Sequence, residues 1–376
     1  MIHITEDIII VGGGPAGSYL GYLLAKNGKK PIIFDHSHPR EKPCGGGISY
    51  LALHKFPIIK KATDVKGIGR KIKIIAPSGY EVKVGSGYLL GISRLKLDKY
   101  LLEMAIDAGA RHIPEKVNKV FEEDDNWVIQ TANNTIKTKL LVGADGTNSL
   151  VRKKVIGPFN KKDITFTYGY LVRGAEKEVT TMKFLDGKQG YIWVFPRGDH
   201  TSIGICAEYD KSHGSKKILD EFIGNTYPDI SIMSKYSALV PTAGTQEFFN
   251  QPCTGKNWML VGDAAGHVDP SSVEGISYAL WSAELAAKSI TDGNHREFDD
   301  LWRKEYGDDL FDSMKFKDIM YNPKFLDFSV KLAKRSKTYS QLMFDVISNK
   351  QDIETLLYRI ITELPRTIKE YIKSKI

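Results

Sequence analysis

Ile8-Ile9-Ile10-Val11-Gly12-Gly13-Gly14-Pro15-Ala16-Gly17 is the stretch on which the reading of the fold turns. A β-branched run that stops at glycines has the pattern of a strand buried on both faces, as in a parallel sheet. After it, Ala16, Tyr19, Leu20, Leu23 and Leu24 recur at helical spacing from Pro15 to Lys26, and Gly28 closes the helix. Pro31-Ile-Ile-Phe-Asp35 is a second buried strand, so the segment is a βαβ unit with a right-handed crossover. Each glycine of the GxGxxG pattern has its own physical reason. Gly12 permits the tight turn, Gly14 lets backbone approach a pyrophosphate, and Gly17 lets helix and strand pack closely. The helix opened by Pro15 and Ala16 points its N-terminus at that pyrophosphate. Asp35 ends the second strand about 20 residues on, where a carboxylate can hold a ribose hydroxyl. The pattern predicts a dinucleotide site but does not choose between nicotinamide and flavin.

Outward from this unit, Ile72, Ile74, Val82 and Val84 alternate with charged residues around a Pro77-Ser-Gly79 turn, which predicts a hairpin. Ser93 is placed to cap a helix that carries Leu97, Leu101, Met104 and Ala105 and ends near Gly109. A second hairpin, 128–131 with 135–139, leads into the buried strand Leu140-Leu-Val-Gly-Ala-Asp145. From about 163 to 250 the strands alternate, with one helix near 216–222, as in an antiparallel sheet. Trp258 to Asp263 returns to the buried-strand pattern, 276–290 is an Ala-rich helix, and residues from about 297 onward read as helical. The expected organisation is α/β: a discontinuous Rossmann-like dinucleotide-binding domain at 1–75, 91–160 and 251–296. It is interleaved with an antiparallel β-sheet substrate domain at 76–90 and 161–250, and followed by a helical region at 297–376.

The chain has 376 residues, 42% of them hydrophobic and 26% charged, enough for a sizeable core in two or three packed units. Its net charge of +8 favours anionic partners such as a dinucleotide, a phosphorylated substrate or an acidic membrane surface. No nucleic-acid recognition module accompanies that charge. Cys44, Cys206 and Cys253 are odd in number and widely spaced, which predicts neither a disulfide framework nor a metal site, and a reducing compartment. Met1–Asp7 is too short and polar for a signal peptide, and no apolar run approaches the ~20 residues of a bilayer span. The expected location is cytoplasmic, with peripheral contact on the cytoplasmic face of the membrane as an option.

Two further segments bear on the cofactor. Gly143-Ala-Asp145-Gly146-Thr-Asn-Ser149 resembles the Asp-Gly motif of the para-hydroxybenzoate-hydroxylase-like flavoproteins. Gly262-Asp263-Ala-Ala-Gly266, with Pro270 and Glu274-Gly275-Ile276, resembles their second FAD motif. The resemblance implies FAD, with Asp263 on the ribityl chain and the helix opening at Gly275-Ile276 facing the flavin N1/O2 edge. Helix-terminal amides would there meet the negative charge of a reduced flavin. It also implies contacts from Asp145, Gly146 and Arg94, the arginine that opens the helix after Ser93.

Lys42-Pro43-Cys44-Gly45-Gly46-Gly47 and Gly190-Tyr191-Ile-Trp193-Val-Phe195-Pro196, then Gly204, resemble the geranylgeranyl reductase family, including digeranylgeranylglycerophospholipid reductases. The resemblance covers roughly residues 7–290. Ile205 and Cys206 follow Gly204 where that family has a second glycine, and the helical tail is short. Three glycines in a row allow backbone to lie against a stacked ligand, so Cys44, Gly45 and Gly46 are expected beside the flavin. On a strand Tyr191, Trp193 and Phe195 project to one face, either as ordinary core or, with Gly204, as a substrate wall. The family implies reduction of prenyl C=C bonds with electrons from NAD(P)H or ferredoxin. Cys44, Tyr191 and Trp193 are then the catalytic candidates, Cys44 being otherwise a small buried hydrophobe. His267 reads as a general acid or as a structural hydrogen-bonding group. A flavin monooxygenase or halogenase, and a flavin electron-transfer protein, are the competing readings.

Arg366 to Ile376 places Ile368, Tyr371, Ile372 and Ile376 near one helical face, with lysines elsewhere. That stripe either packs on the body or meets an anionic membrane.

Overall fold

The buried β-branched runs form the centre of a seven-stranded sheet in the computed structural model. The structure describes residues 5–62, 71–84, 90–175, 178–351 and 353–374. Met1–Ile4 and Ile376 lie outside the described residues. Thr5–Val11 pairs in parallel with Ile32–Phe34 on one side and Thr135–Gly143 on the other. Arg111–Ile113 and Trp258–Leu260 extend the parallel part, and the predicted hairpin of Asn126–Gln130 with Thr135–Gly143 adds an antiparallel end. The helices Pro15–Lys26, Arg94–Asp107 and Ile276–Thr291 pack together, the first touching both others. Ile9, Ile10, Ile33, Leu141 and Val142 are fully enclosed between the layers. Such runs can be apolar throughout because both of their faces are covered.

The cap of Arg94–Asp107 differs from the reading of Ser93. Ser93 Oγ donates to Glu41 (2.5 Å), and the same carboxylate accepts from Arg94 N (2.8 Å) and Leu95 N (3.3 Å). A carboxylate from a distant loop satisfies the free amides of this helix and complements its dipole.

The second sheet runs Ser231–Pro241, Ile164–Arg173, Thr201–Glu208, Gly190–Pro196, Val179–Phe184, Lys71–Ile75, Glu81–Val84. The hairpin Lys71–Val84 belongs to it whole, so this sheet takes residues from 71 rather than from 76. Its join to Val179–Phe184 is parallel, and the other pairings are antiparallel. Strand alternation gives the sheet two apolar faces. Ile192, Val194, Ile203 and Ile205 pack on Leu219 and Ile223 of the helix Ser215–Thr226. Tyr191, Trp193, Phe195 and Met182 face the opposite way, toward Tyr321, Leu326, Val330 and Phe344 of the C-terminal helices. Those helices, Asp308–Met320, Pro323–Arg335 and Lys337–Ile347, therefore roof the aromatic face, and Ile353–Lys373 packs against them. Among the described residues no helix is long and apolar enough to cross a membrane.

Candidate functional site

One cleft of about 600 Å³ runs from the glycine turn to the aromatic face of the second sheet. At its first end the geometry fits a dinucleotide. Gly12 has φ +106°, and a Cβ there would stand 2.8 Å from the Asp145 Cα. Gly17 sits against the carbonyl of Gly12 and the Ala144 methyl. Above Gly14 nothing lies within 4 Å, and that open space belongs to the cleft, as a pyrophosphate cradle requires. Pro15 and Ala16, the first residues of the helix, line it too. Asp35 accepts from Gly13 N (2.7 Å), from Ser37 N (2.8 Å) and from Ser37 Oγ. Burial raises its pKa, but these hydrogen bonds outweigh burial and hold the carboxyl below its usual range. An ionised acceptor at the strand end suits a ribose hydroxyl.

Farther along, Asp263 lies 3.4 Å from Lys42 Nζ, and a Cβ on Gly275 would stand 3.1 Å from its Oδ1. Gly275 and Ile276 open the helix Ile276–Thr291 into the cleft beside this carboxylate. The glycine turn, Asp35, Asp145-Gly146, Asp263 and Gly275 all line this one groove.

Two of the predicted contacts have other work. Arg94 is 3% exposed and its guanidinium is paired twice with Asp98, at 2.7 and 2.9 Å. It lines the cleft, and its guanidinium also meets the Cys44 side chain there. Asp145 accepts from Ser149 Oγ (2.5 Å) and Leu150 N (2.6 Å), capping the short helix Leu150–Val155. Burial raises its pKa against those bonds. Gly146, at φ +80° with open space above it, leaves the backbone of the motif free to face a ligand.

At the other end the three glycines of the Pro-Cys-Gly loop line the cleft and also pack closely on protein. A Cβ on Gly45 would stand 3.2 Å, and one on Gly47 2.7 Å, from the Phe195 ring; on Gly46, at φ +71°, one would stand 2.8 Å from Arg197 Nε. Arg197, which the sequence reading passed over, is the clamp of this loop. It pairs with Glu41 (2.7 Å), donates to Gly45 O (3.1 Å) and also donates to Cys44 O. Cys44 O further accepts from Ser202 Oγ (3.3 Å) and Tyr236 Oη (3.2 Å). The peptide is held by three side chains, while Cys44 Sγ accepts from Gly46 N (3.2 Å) and the residue lines the cleft.

Trp193 donates from Nε1 to Ser202 Oγ (3.0 Å), and Tyr191 donates from its hydroxyl to Ser272 O (2.7 Å). Both polar tips of the wall are thus engaged, and burial keeps the Tyr191 phenol well above its ordinary pKa. Gly204 corrects the sequence reading: it is not part of the cleft wall but lies under Trp193, where a Cβ would enter the indole ring. Trp193, Gly204, Gly169 and Tyr236 are consecutive partners across four strands. The two rings lean over the two glycines from either side. Cys206, on the same face, does line the cleft.

Glu274 was quoted only as part of a motif, yet it is a titratable group in the cleft wall. Its carboxylate accepts from Ser49 N (3.3 Å) and Asn349 Nδ2 (3.0 Å). Burial raises its pKa to about 7, partly offset by the Ser49 bonds and reinforced by Asp269. Its signal was a lone acid before a helix-opening glycine. His267 is structural: it is buried, hydrogen-bonded to Tyr306 Oη (3.0 Å), and driven down to a pKa of about 3 by burial. No group of metal-ligating side chains occurs among the described residues.

Residues 163–240 match the model of the geranylgeranyl reductase catalytic domain, and residues 10–50 that of an NAD(P)-binding Rossmann-like domain. A geranylgeranyl diphosphate reductase of Rhodobacter capsulatus is 30% identical over 305 residues, 75% of this chain and 74% of the relative. A digeranylgeranylglycerophospholipid reductase of Methanococcus vannielii is 28% identical over 84% of this chain and 87% of its own. The crystal structure of a geranylgeranyl bacteriochlorophyll reductase-like protein from Thermoplasma acidophilum superposes with a TM-score of 0.79. It has 22% identity and covers 98% of this chain and 99% of its own.

Proposed function

This chain belongs to the geranylgeranyl reductase family of FAD-dependent oxidoreductases, and we propose that it reduces C=C bonds in the isoprenoid chain of a prenyl lipid. Membership of a reductase family sets aside the halogenase and electron-carrier readings. The observation that carries the proposal is one continuous cleft. It joins the dinucleotide groove to a wall of Tyr191, Trp193 and Phe195, roofed by apolar helices. FAD, when bound, supplies the electron pair and hydrogen that one alkene carbon accepts.

The residues supply the rest. An isolated alkene is a poor hydride acceptor, so positioning and exclusion of water must carry much of the rate. The wall gives stacked apolar surface with its polar tips already satisfied, so it offers a prenyl chain no unpaired donor. The second alkene carbon needs a proton. Cys44 Sγ is the donor we assign: its backbone is fixed by Arg197, Ser202 and Tyr236, and its thiol lines the cleft. The Tyr191 hydroxyl, held by Ser272 O and raised in pKa, is the poorer acid. Electrons come from NAD(P)H or ferredoxin, and a peripheral membrane contact delivers the lipid.

Anaerobic incubation of the dithionite-reduced holoprotein with geranylgeranyl diphosphate, followed by mass spectrometry, tests the reading. A gain of H2 per reduced double bond is expected. Flavin reoxidised only by air, with the prenyl chain returned unchanged, would defeat it.

A further inference from the structure

The terminal helix Ile353–Lys373 packs with its polar side inward. Arg359 reaches Asp345 (2.8 Å) and Glu363 (3.0 Å). Glu370 accepts from Ser336 Oγ (2.7 Å) and Thr338 N (3.0 Å), tying the helix to the start of Lys337–Ile347. On the same side Leu356, a turn before the first pin, and Thr367, between the two, are buried. The outward side carries Leu357, Tyr358, Ile361, Leu364, Ile368 and Ile372, each between 47% and 74% exposed. At 3.6 residues per turn these six span roughly a third of the circumference. Surface helices of globular proteins show the reverse arrangement, and a contiguous apolar patch of this kind marks an interaction site. The stripe does not pack on the body; it faces out.

The charges are sorted in the same sense. Glu363 and Glu370 lie toward the body, Glu370 also pairing with Arg366 (3.4 Å), while Lys369 and Lys373 are exposed along one flank of the apolar stripe. Exposed lysines beside an apolar stripe complement an anionic surface.

We infer that this face seats on an anionic lipid bilayer, the six apolar side chains entering the headgroup–acyl boundary and Lys369 and Lys373 meeting lipid phosphates. The preceding helix ends at Ile347 in the cleft wall, so the seated helix is one loop away from the site. The inference rests on the prenyl-lipid reading for its purpose, because a bilayer is where such a substrate resides, but not for its evidence.

Flotation of the FAD-loaded full chain with phosphatidylglycerol–phosphatidylcholine vesicles at low salt tests it directly. Wild type is expected to float with these vesicles and about tenfold less with phosphatidylcholine alone or in high salt. The double variant Ile361→Ser/Ile368→Ser should lose about tenfold or more in partitioning, with an unchanged melting temperature because both positions are exposed. Lys369→Gln/Lys373→Gln should lose the preference for anionic lipid. No flotation of wild type, or flotation indifferent to both variants, overturns the inference. So does a dimer in sedimentation velocity that the isoleucine variant abolishes while vesicles bind neither form. A protein that floats as described but reduces no prenyl substrate would retire the proposed function and leave the membrane face standing.

Discussion

The indole of Trp193 occupies the space that a side chain on Gly204 would need, and the two residues are direct cross-strand partners. Next in line, a Cβ on Gly169 would stand 2.7 Å from the Tyr236 ring, so the pattern repeats. Gly204→Val should therefore push the indole off the sheet and break its bond to Ser202 Oγ. The displaced ring would fill the cleft. Overpacking of this kind costs about 1–3 kcal/mol, and prenyl reduction should fall further than stability does. A variant that melts lower yet turns over prenyl substrate normally would show that the ring's place is a matter of packing only.

Gly14→Val addresses the other end of the cleft. The backbone at Gly14 is extended, at φ −71°, and no protein atom lies near its missing Cβ. The substitution should leave the apoprotein as stable as wild type while abolishing FAD binding, because only the pyrophosphate meets the new side chain. Absorbance of the bound flavin and a melting curve separate the two effects. Retained yellow colour would move the pyrophosphate elsewhere.

Glu274 makes stability depend on pH in a definite direction. Its folded pKa of about 7 lies above the ordinary 4.5, so the folded state holds the proton more tightly than the unfolded state. Its contribution is complete below 4.5 and is lost as pH rises through about 7. Glu274→Gln should flatten that part of the profile and melt higher than wild type, by a few degrees, on the alkaline side. Parallel profiles for the two proteins would place its pKa near that of an exposed glutamate.

Cys44→Ser should bind FAD and keep its stability within about 1 kcal/mol of wild type, because a hydroxyl suits the thiol's bonds with Gly46 N and the Arg94 guanidinium. Alkene reduction should fall by about 10²-fold or more, the usual scale for removing a positioned acid. Solvent-deuterium incorporation at the second carbon, read alongside the rate, reports the proton step itself. A wild-type rate in the serine variant would take the proton from water or another group.

The dinucleotide half of the fold was legible because its strands are buried on both faces and therefore show as unbroken apolar runs, as at 8–11 and 140–142. The aromatic face of 191–195 was equally plain, since alternation on a strand fixes which side chains travel together. The long strands Ile164–Arg173 and Ser231–Pro241 went unread one by one. The second is the outer edge of its sheet and largely exposed, so burial imposes no alternation on it. Arg197, Ser202 and Tyr236 carry no signal either. What joins them is a single carbonyl, that of Cys44, 153 or more positions away in the chain for each of them. Glu41 was equally silent: a carboxylate that caps a helix opening 53 residues later looks like any surface acid. The C-terminal stripe stayed open between two readings for a related reason, because periodicity shows that a helix is two-sided without showing which side faces in.

Arg197 is where these long-range bonds meet, and its removal should be felt at both the loop and the helix. The guanidinium head is fully enclosed and holds Glu41, Gly45 O and Cys44 O together. Arg197→Met leaves Glu41 without its cation beside the N-terminus of Arg94–Asp107 and frees the Pro-Cys-Gly loop. Breaking a buried pair by deleting one partner costs about 3–5 kcal/mol; because Glu41 keeps some access to solvent and its helix amides, the lower end is expected. Arg197→Lys keeps a charge for Glu41 but cannot also reach two carbonyls with a planar fork. It should recover most of the stability while prenyl reduction stays low, since the Cys44 peptide is no longer fixed. Melting temperature and single-turnover reduction by the prereduced protein check the two halves separately. Full recovery of the rate in the lysine variant would mean that the charge, and not the geometry of the clamp, is what Cys44 requires.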